Sequence, residues 1–423
     1  MRRCVTSALL ALILVGAAVA VGWWLNSHGA GVQASTPPLY ALWRPHVGPG
    51  TLPAVALAVA VIVWGPALSA RLPWRSLLAC GYAGSVAWTF ALAMVDGWQA
   101  GIATRLTVDA EYLWEVPGVG SIGGLLRGFT GRILDFQPDS WNTHVSGHPP
   151  GVLLLFVALD RIGLGGGGIA GMLCILVFGL TAVAVPVTLS VLGSGEAARS
   201  SVPFLVLFPG AVWAGVSADG LFAGVTAAGL ALLAVALVRR SLWAGLASGL
   251  LLGYALYLSY GMVLIGVLAL AVVVLARRYF ALVWAFTGAL VVVAAFTIAG
   301  FWWLDGYHLV VERYYQGIAA DRPYAYWVWA NLAAFLLSAG PLVILLRFRW
   351  PRPASILPLA AVLTVLIADV SGLSKAEVER IWLPFAVWIP AAADLLPVPS
   401  RRWWLGVQAA IALLVVHLLH TVW

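Results

Sequence analysis

Between residues 96 and 148 the chain places Asp96, Asp109, Glu111, Glu115, Asp135, Asp139, His144 and His148, in a sequence that is only 9% charged. A carboxylate held beside a hydroxyl substrate acts as a general base and contributes about 10²- to 10⁴-fold to a rate. Asp109 and Glu111, an Asp-x-Glu followed by Tyr112, are the first choice for that role. Asp96 is a substitute, because it stands where an apolar run ends; helix termination at Asp96-Gly97 is the competing explanation. His144 and His148, completed by Asp109 or Glu111, form a candidate site for a divalent cation such as Mg or Mn. Gly147 and Pro149 break a continuous helix through the pair, so the spacing guarantees no ligand geometry. A hydrogen bond from His148 to an anionic group, or an ordering role in the loop, is the stronger alternative.

Two further groups lie far downstream. Asp219, in Ser217-Ala218-Asp219, is a single carboxylate between two apolar runs. It would cost about 2.5 to 3.5 kcal/mol at the centre of a bilayer, so it is expected to face a wet cavity or a partner. Arg380 closes the sequence Glu377-Val378-Glu379-Arg380 ahead of a run containing Pro384. A guanidinium presents a rigid fork to phosphate oxygens; an intrahelical pair with Glu377 at i−3 is the simpler alternative. Lys375 reads as a solvated flank and Glu312-Arg313 as a structural pair. The segment 302–326 also holds Asp305, His308, Asp321 and Arg322 among Trp and Tyr residues, and an interfacial aromatic belt accounts for those rings.

The elements that must position these groups follow from composition. The chain has 423 residues, of which 62% are hydrophobic, with 45 Gly and 22 Trp and a mean hydropathy of +0.99. Too few charges exist to solvate a globular surface, and apolar runs separated by short polar breaks match the bilayer-spanning pattern. Soluble, disordered and disulfide-framework classes are excluded. The net charge of +7 does not point to nucleic acid, because the arginines flank apolar runs rather than share one wet face. Cys4, Cys80 and Cys174 show no metal or disulfide spacing. Gly165 to Gly168 follows no strand and precedes no GK[ST], so it is not a nucleotide loop.

The runs are 8–25, 52–69, 76–95, 149–163, 169–192, 202–216, 221–238, 242–258, 261–276, 280–300, 327–346, 355–370, 381–396 and 403–422. Counting crossings from the N-terminus and from the basic breaks Arg239-Arg240, Arg277-Arg278, Arg347 to Arg352 and Arg401-Arg402 gives answers that differ by one between His148 and Asp219. The run 202–216 is short and interrupted by Pro203 and Pro209-Gly210, so it is expected to be re-entrant, leaving about thirteen spans. Thirteen arginines (2, 3, 71, 75, 239, 240, 277, 278, 347, 349, 352, 401 and 402) then share one side with the single acid Asp394. By the positive-inside rule that side, with the N-terminus, is cytoplasmic, and the carboxylates collect on the extracytoplasmic face. The stretch 96–147 is too long for a connector. Its middle, 123–136, has apolar residues at helical spacing, which predicts a helix in the interface plane.

Taken in order, Asp109-x-Glu111-Tyr112, the interfacial loop, His148-Pro149-Pro150, Ser217-x-Asp219 and Glu377-x-Glu379-Arg380 make the chain resemble the GT-C superfamily of membrane glycosyltransferases over roughly residues 96–396. That superfamily includes protein O-mannosyltransferases, aminoarabinose transferases and actinobacterial-type envelope arabinosyl- and mannosyltransferases. The resemblance implies an all-α polytopic bundle with a large extracytoplasmic loop and a polyprenyl-phosphate sugar as donor. It implies an envelope glycan, lipid or protein as acceptor, a loop carboxylate (Asp109, Glu111 or Asp96) as base, and His148, Asp219 and Arg380 around the donor phosphate. The chain departs from the pattern in having two extra apolar runs before the loop and no plain Asp-x-Asp.

The organisation expected is N-terminal spans 1–95, catalytic loop 96–147, central bundle 148–300, second outer loop 301–326 and C-terminal spans 327–423, in the plasma membrane. A secondary transporter or a flippase for lipid-linked glycans is the rival class. Such proteins place ionisable groups near the midplane and show internal repeats, neither of which is evident here.

Overall fold

The computed structural model describes residues 2–347 and 349–421, with side chains from residue 8 onward. The side chains of Arg2, Arg3 and Cys4, and Val422 in the last apolar run, lie outside the described residues. The described chain is mainly helical, and its one strand pair is antiparallel, Ala41–Trp43 with Leu419–Thr421, in which Leu42 faces His420. Among the described residues, six helices are long and apolar enough to cross a membrane: Ala8–Ser27, Thr51–Arg71, Trp74–Ala93, Gly167–Val191, Ala218–Arg239 and Pro353–Val370. A seventh is added if Leu282–Ile298 and Trp303–Gln316, bent by 74°, count as one. Leu242–Leu258, Tyr260–Ala276 and Leu383–Leu395 are shorter apolar helices.

Small residues bring these helices together. A Cβ on Gly249 would strike the backbone of Ala285, and one on Gly288 the backbone of Leu246, so Leu242–Leu258 and Leu282–Ile298 pack backbone to backbone. The bundle has two distinct ends. Helix Thr51–Arg71 begins beside the long loop, where Gly50 N–H donates to Met94 O at 2.9 Å. Its 21 residues rise about 31 Å, and it ends where Arg199 donates to Ser69 O and Leu72 O. Arg71, Arg75 and Arg199 therefore share the end opposite the loop.

That framework corrects two expectations. The run 202–216 does not turn back. Helix Gly195–Val206 starts at the arginine end with Arg199, and the chain continues through Phe208 to Gly210 and the turn Ala211–Ala214 to Asp219 at the loop end. The segment that fails to traverse is 149–163. Its helix, Gly151–Arg161, follows His148 directly, and Arg161 at its other end donates to Val119 O and Gly120 O of the loop. Eleven residues rise only about 16 Å, half the thickness of a hydrocarbon core.

The predicted interfacial helix over 123–136 is also interrupted. It consists of Ile122–Gly128, capped by Ser121 Oγ on Gly124 N–H, and a single turn Thr130–Arg132. Gly128 and Gly131 weaken continuation, and Arg132 folds back onto Trp141, 3.3 Å from the ring centre. The longer amphipathic element is Trp303–Gln316. It docks on the loop through Arg313 and Asp135 (2.7 Å) and through Gln316 Oε1 accepting from Asp135 N–H. Phe129, buried against Trp141 and Phe301, fastens the loop to the bundle.

Candidate functional site

Residues from five distant segments meet at the loop end around Arg380. This guanidinium sits in the short helix Val378–Ile381. Its Nη1 donates to Asp219 Oδ2 at 2.6 Å, and its Nη2 to Glu377 Oε2 at 3.1 Å and His144 Nε2 at 3.0 Å. Asp219 stands in the first turn of Ala218–Arg239, where the helix dipole favours a carboxylate. His144 is carried by the single turn Thr143–Ser146, capped by Asn142 Oδ1 on Val145 N–H. The same Asn142 donates from Nδ2 to Asp109 O and Glu111 O at 2.9 and 2.7 Å. One amide thus clamps the acidic strand against the histidine turn.

The contacts determine the protonation of His144. Arg380 can only donate, so Nε2 accepts, and Nδ1 carries the proton toward Ala110 O at 2.7 Å, with Glu111 Oε1 at 3.5 Å. Burial, reinforced by Arg380, holds its pKa well below the usual value and keeps the ring neutral. His148 donates from Nδ1 to His144 O at 2.8 Å, and its ring lies between Tyr112 and Phe222. Burial lowers its pKa as well.

Glu111 is 6% exposed, and its Oε2 has no hydrogen-bond partner among the described residues. Burial raises its pKa to about 7, against the pull of Arg380 and with the help of Asp219. Glu379, fully buried, is likewise pushed up to about 7 by burial; its Oε1 accepts from Tyr40 N–H at 3.4 Å. The cluster extends through Glu377 Oε1 to Arg322 Nη2 at 2.9 Å. Lys375, expected on a solvated flank, is 8% exposed and donates from Nζ to Ala319 O and Arg322 O.

Of the predicted residues, Glu111, His144, His148, Asp219 and Arg380 are brought together, and Asp109 and Asp96 are not. Asp109 is exposed and contributes to the cluster through its carbonyl oxygen. Asp96 belongs to a separate knot with Arg105 Nη2 (2.9 Å), His46 Nε2 (3.0 Å) and His420 Nδ1 (3.3 Å), and Arg105 also donates to Thr421 O. Its work is to tie the loop to the chain's two strands. The metal site proposed from His144, His148, Asp109 and Glu111 is not formed. Both ring nitrogens of His144 are engaged, one by a guanidinium that repels a cation, and Asp109 lies outside the cluster. Among the described residues no group of three or more His, Cys, Asp or Glu is placed to hold a metal ion.

Arg380 is not an open fork either. It already holds two carboxylates, so an incoming phosphate must share or displace one. In the sequence Tyr112 and Glu377 stand out only as neighbours of Glu111 and Arg380 in their motifs, and Arg322 only as one charge among the aromatics of 302–326, so none of the three is picked out there as a site residue. Behind the Tyr112–Phe156 ring pair, 6.0 Å between centroids, lies a mainly apolar cavity of about 460 Å³ bordered by Leu113, Trp114, Val116, Leu159 and Asp160.

No protein-family model matches the chain, and no curated protein matches it.

Chemically, the cluster pairs a desolvated carboxylate that titrates near neutrality with a neutral imidazole and a fixed cation. That combination suits removal of a proton from a hydroxyl beside an anionic group.

Proposed function

We propose that the chain is an integral membrane glycosyltransferase of the GT-C type, moving a sugar from a polyprenyl-phosphate donor to an envelope lipid, glycan or protein acceptor. One observation carries the reading: Glu111, His144, His148, Asp219 and Arg380, spread over 270 positions, meet at one end of the helical bundle. In this reading the chain crosses the plasma membrane about thirteen times, with shorter helices completing spans that length alone does not qualify. The arginine end, with the N-terminus, faces the cytoplasm, and the cluster faces the extracytoplasmic side.

Glu111 removes the proton of the acceptor hydroxyl as that oxygen bonds to the anomeric carbon. The bond from that carbon to the phosphate oxygen breaks, and its electron pair leaves with the polyprenyl phosphate. Asp219 and Arg380 fix the field in which this charge moves, and Asn142 and His144 hold Glu111 in place.

The test is turnover by purified protein in nanodiscs, given a panel of polyprenyl-phosphate mannose, arabinose and aminoarabinose with envelope extract as acceptor. Release of polyprenyl phosphate by the wild type, lost in Glu111→Gln, is the expected result. No release with any donor, together with movement of intact lipid-linked sugar across vesicles, would replace this reading by the flippase class.

A further inference from the structure

Arg322 has no part in the transfer just described, yet it is built into the same cluster. Glu377 is shared between two guanidinium groups: Oε1 accepts from Arg322 Nη2 at 2.9 Å and Oε2 from Arg380 Nη2 at 3.1 Å. A small anion held between two arginines is the arrangement that also clamps phosphate, since each guanidinium presents a planar fork to its oxygens. Arg322 is 5% exposed, and its Nη1 donates to Lys375 O. Its Nε–H is buried and has no acceptor among the described residues. A buried donor on a guanidinium that already holds an anion through Nη2, itself left without an acceptor, points to a ligand that supplies one.

The carboxylate that now fills the position is the member of the trio best placed to leave. The Glu377 side chain is 13% exposed, against 4% for Arg322 and 7% for Arg380. Its backbone and that of Ala376 both lie in the left-handed region, at φ 63° and 67°. Residues with side chains rarely adopt that region twice in succession. The strained turn is pinned by Lys375 N–H to Tyr314 Oη (2.8 Å) and Ala376 N–H to Asn331 Oδ1 (3.2 Å), so its backbone is held independently of the Glu377 side chain. Lys375 Nζ, 3.2 Å from the backbone carbonyl of Arg322, is a third cation in the neighbourhood. Moving Glu377 away would leave Arg322, Lys375 and Arg380 against Asp219, Glu111 and Glu379, the last two raised toward neutrality by burial, and so shifts the balance toward the cations.

We propose that Arg322 and Arg380 form a binding site for a phosphate monoester or diphosphate, and that Glu377 is its internal competitor. The carboxylate holds the two guanidinium groups in register when the site is empty and yields to phosphate when it arrives. Asp219 stays on Arg380 Nη1, so the two Nη2 groups and Arg322 Nε receive the ligand. Identifying the ligand as the phosphate of a polyprenyl donor rests on the transferase reading; the anion site itself does not.

The experiment is calorimetric titration of purified full-length protein in nanodiscs with two probes, a polyprenyl monophosphate and inorganic pyrophosphate. Removing the competing charge in Glu377→Gln is expected to tighten binding roughly tenfold, and Arg322→Gln to weaken it by at least as much. A response with both probes shows that the site reads phosphate alone. A response with the lipid only shows that the chain must be engaged too, and either supports the site. Affinity unchanged or weakened in Glu377→Gln, or unchanged in Arg322→Gln, overturns it. If either variant fails to fold, Arg322→Lys, which keeps the charge and loses the fork, decides: weaker binding supports the proposal and equal binding refutes it. Anion binding with this pattern but no sugar transfer would keep the site and remove the transferase reading. Transfer with an affinity indifferent to both residues would do the reverse.

Discussion

Replacing Glu111 by Gln separates two consequences of one buried carboxyl group. Burial raises its pKa from an ordinary 4.5 to about 7, which corresponds to roughly 3 kcal/mol. Because the folded value exceeds the unfolded one, the group's contribution to stability is fully present below pH 4.5 and is lost as pH rises to 7. Glutamine cannot titrate, so over that window the wild type loses roughly 3 kcal/mol more than the variant, the loss from the similarly raised Glu379 being common to both. Thermal unfolding in nanodiscs between pH 4.5 and 8 reads this as a melting temperature that declines in the wild type and stays flatter in the variant.

Turnover moves the other way. A general base must be deprotonated, so the wild-type rate rises with pH and levels off above about 7. The Gln variant loses about 10²- to 10⁴-fold at every pH. A variant with the wild-type pH dependence of stability, or with turnover within about tenfold of wild type, would refute the assignment of Glu111.

Asp96→Asn should lower stability by about 1 to 3 kcal/mol, the worth of charged hydrogen bonds to Arg105 and His420, yet spare the pH profile of turnover; a changed profile would return Asp96 to the chemistry. Asp109→Asn, at an exposed carboxylate, should stay within about 0.5 kcal/mol of wild type by thermal unfolding and within about twofold in rate. Arg380→Lys keeps the charge but cannot reach Asp219, Glu377 and His144 together. Turnover should fall at least about a hundredfold with a lower melting temperature, and a mild effect would contradict the central place given to the guanidinium. Gly249→Val drives a side chain into the Ala285 backbone and should cost at least about 1 to 3 kcal/mol in thermal unfolding, whereas Gly266→Ala, where nothing lies near, should be tolerated.

The helical character of the chain was legible because apolar runs must hydrogen-bond their own backbone in lipid. Five site residues were legible because polar groups are rare enough in such a chain for each to require a reason. The run 149–163 was misread because hydrophobicity measures apolar length and not helix length. The helix starts only after Pro150 and stops at Arg161, and an arginine bonded to the loop brings its far end back. The choice among Asp96, Asp109 and Glu111 could not be made from spacing. Asp96 is claimed by His420, 324 positions away, and Asn142 turns Asp109 outward by holding its carbonyl. Lys375 was misread as a solvated flank, and Arg322 given no role, for the same reason, since their partners lie more than fifty residues off.

The most direct test is a cryo-EM map of the protein in nanodiscs with a non-cleavable polyprenyl-phosphonate sugar. The account predicts the headgroup at the loop end, with its anomeric carbon facing Glu111 and its phosphonate against the arginines that now share Glu377. A headgroup bound at the arginine end, or against the Asp96 knot while the Glu111 cluster stays closed, would contradict it.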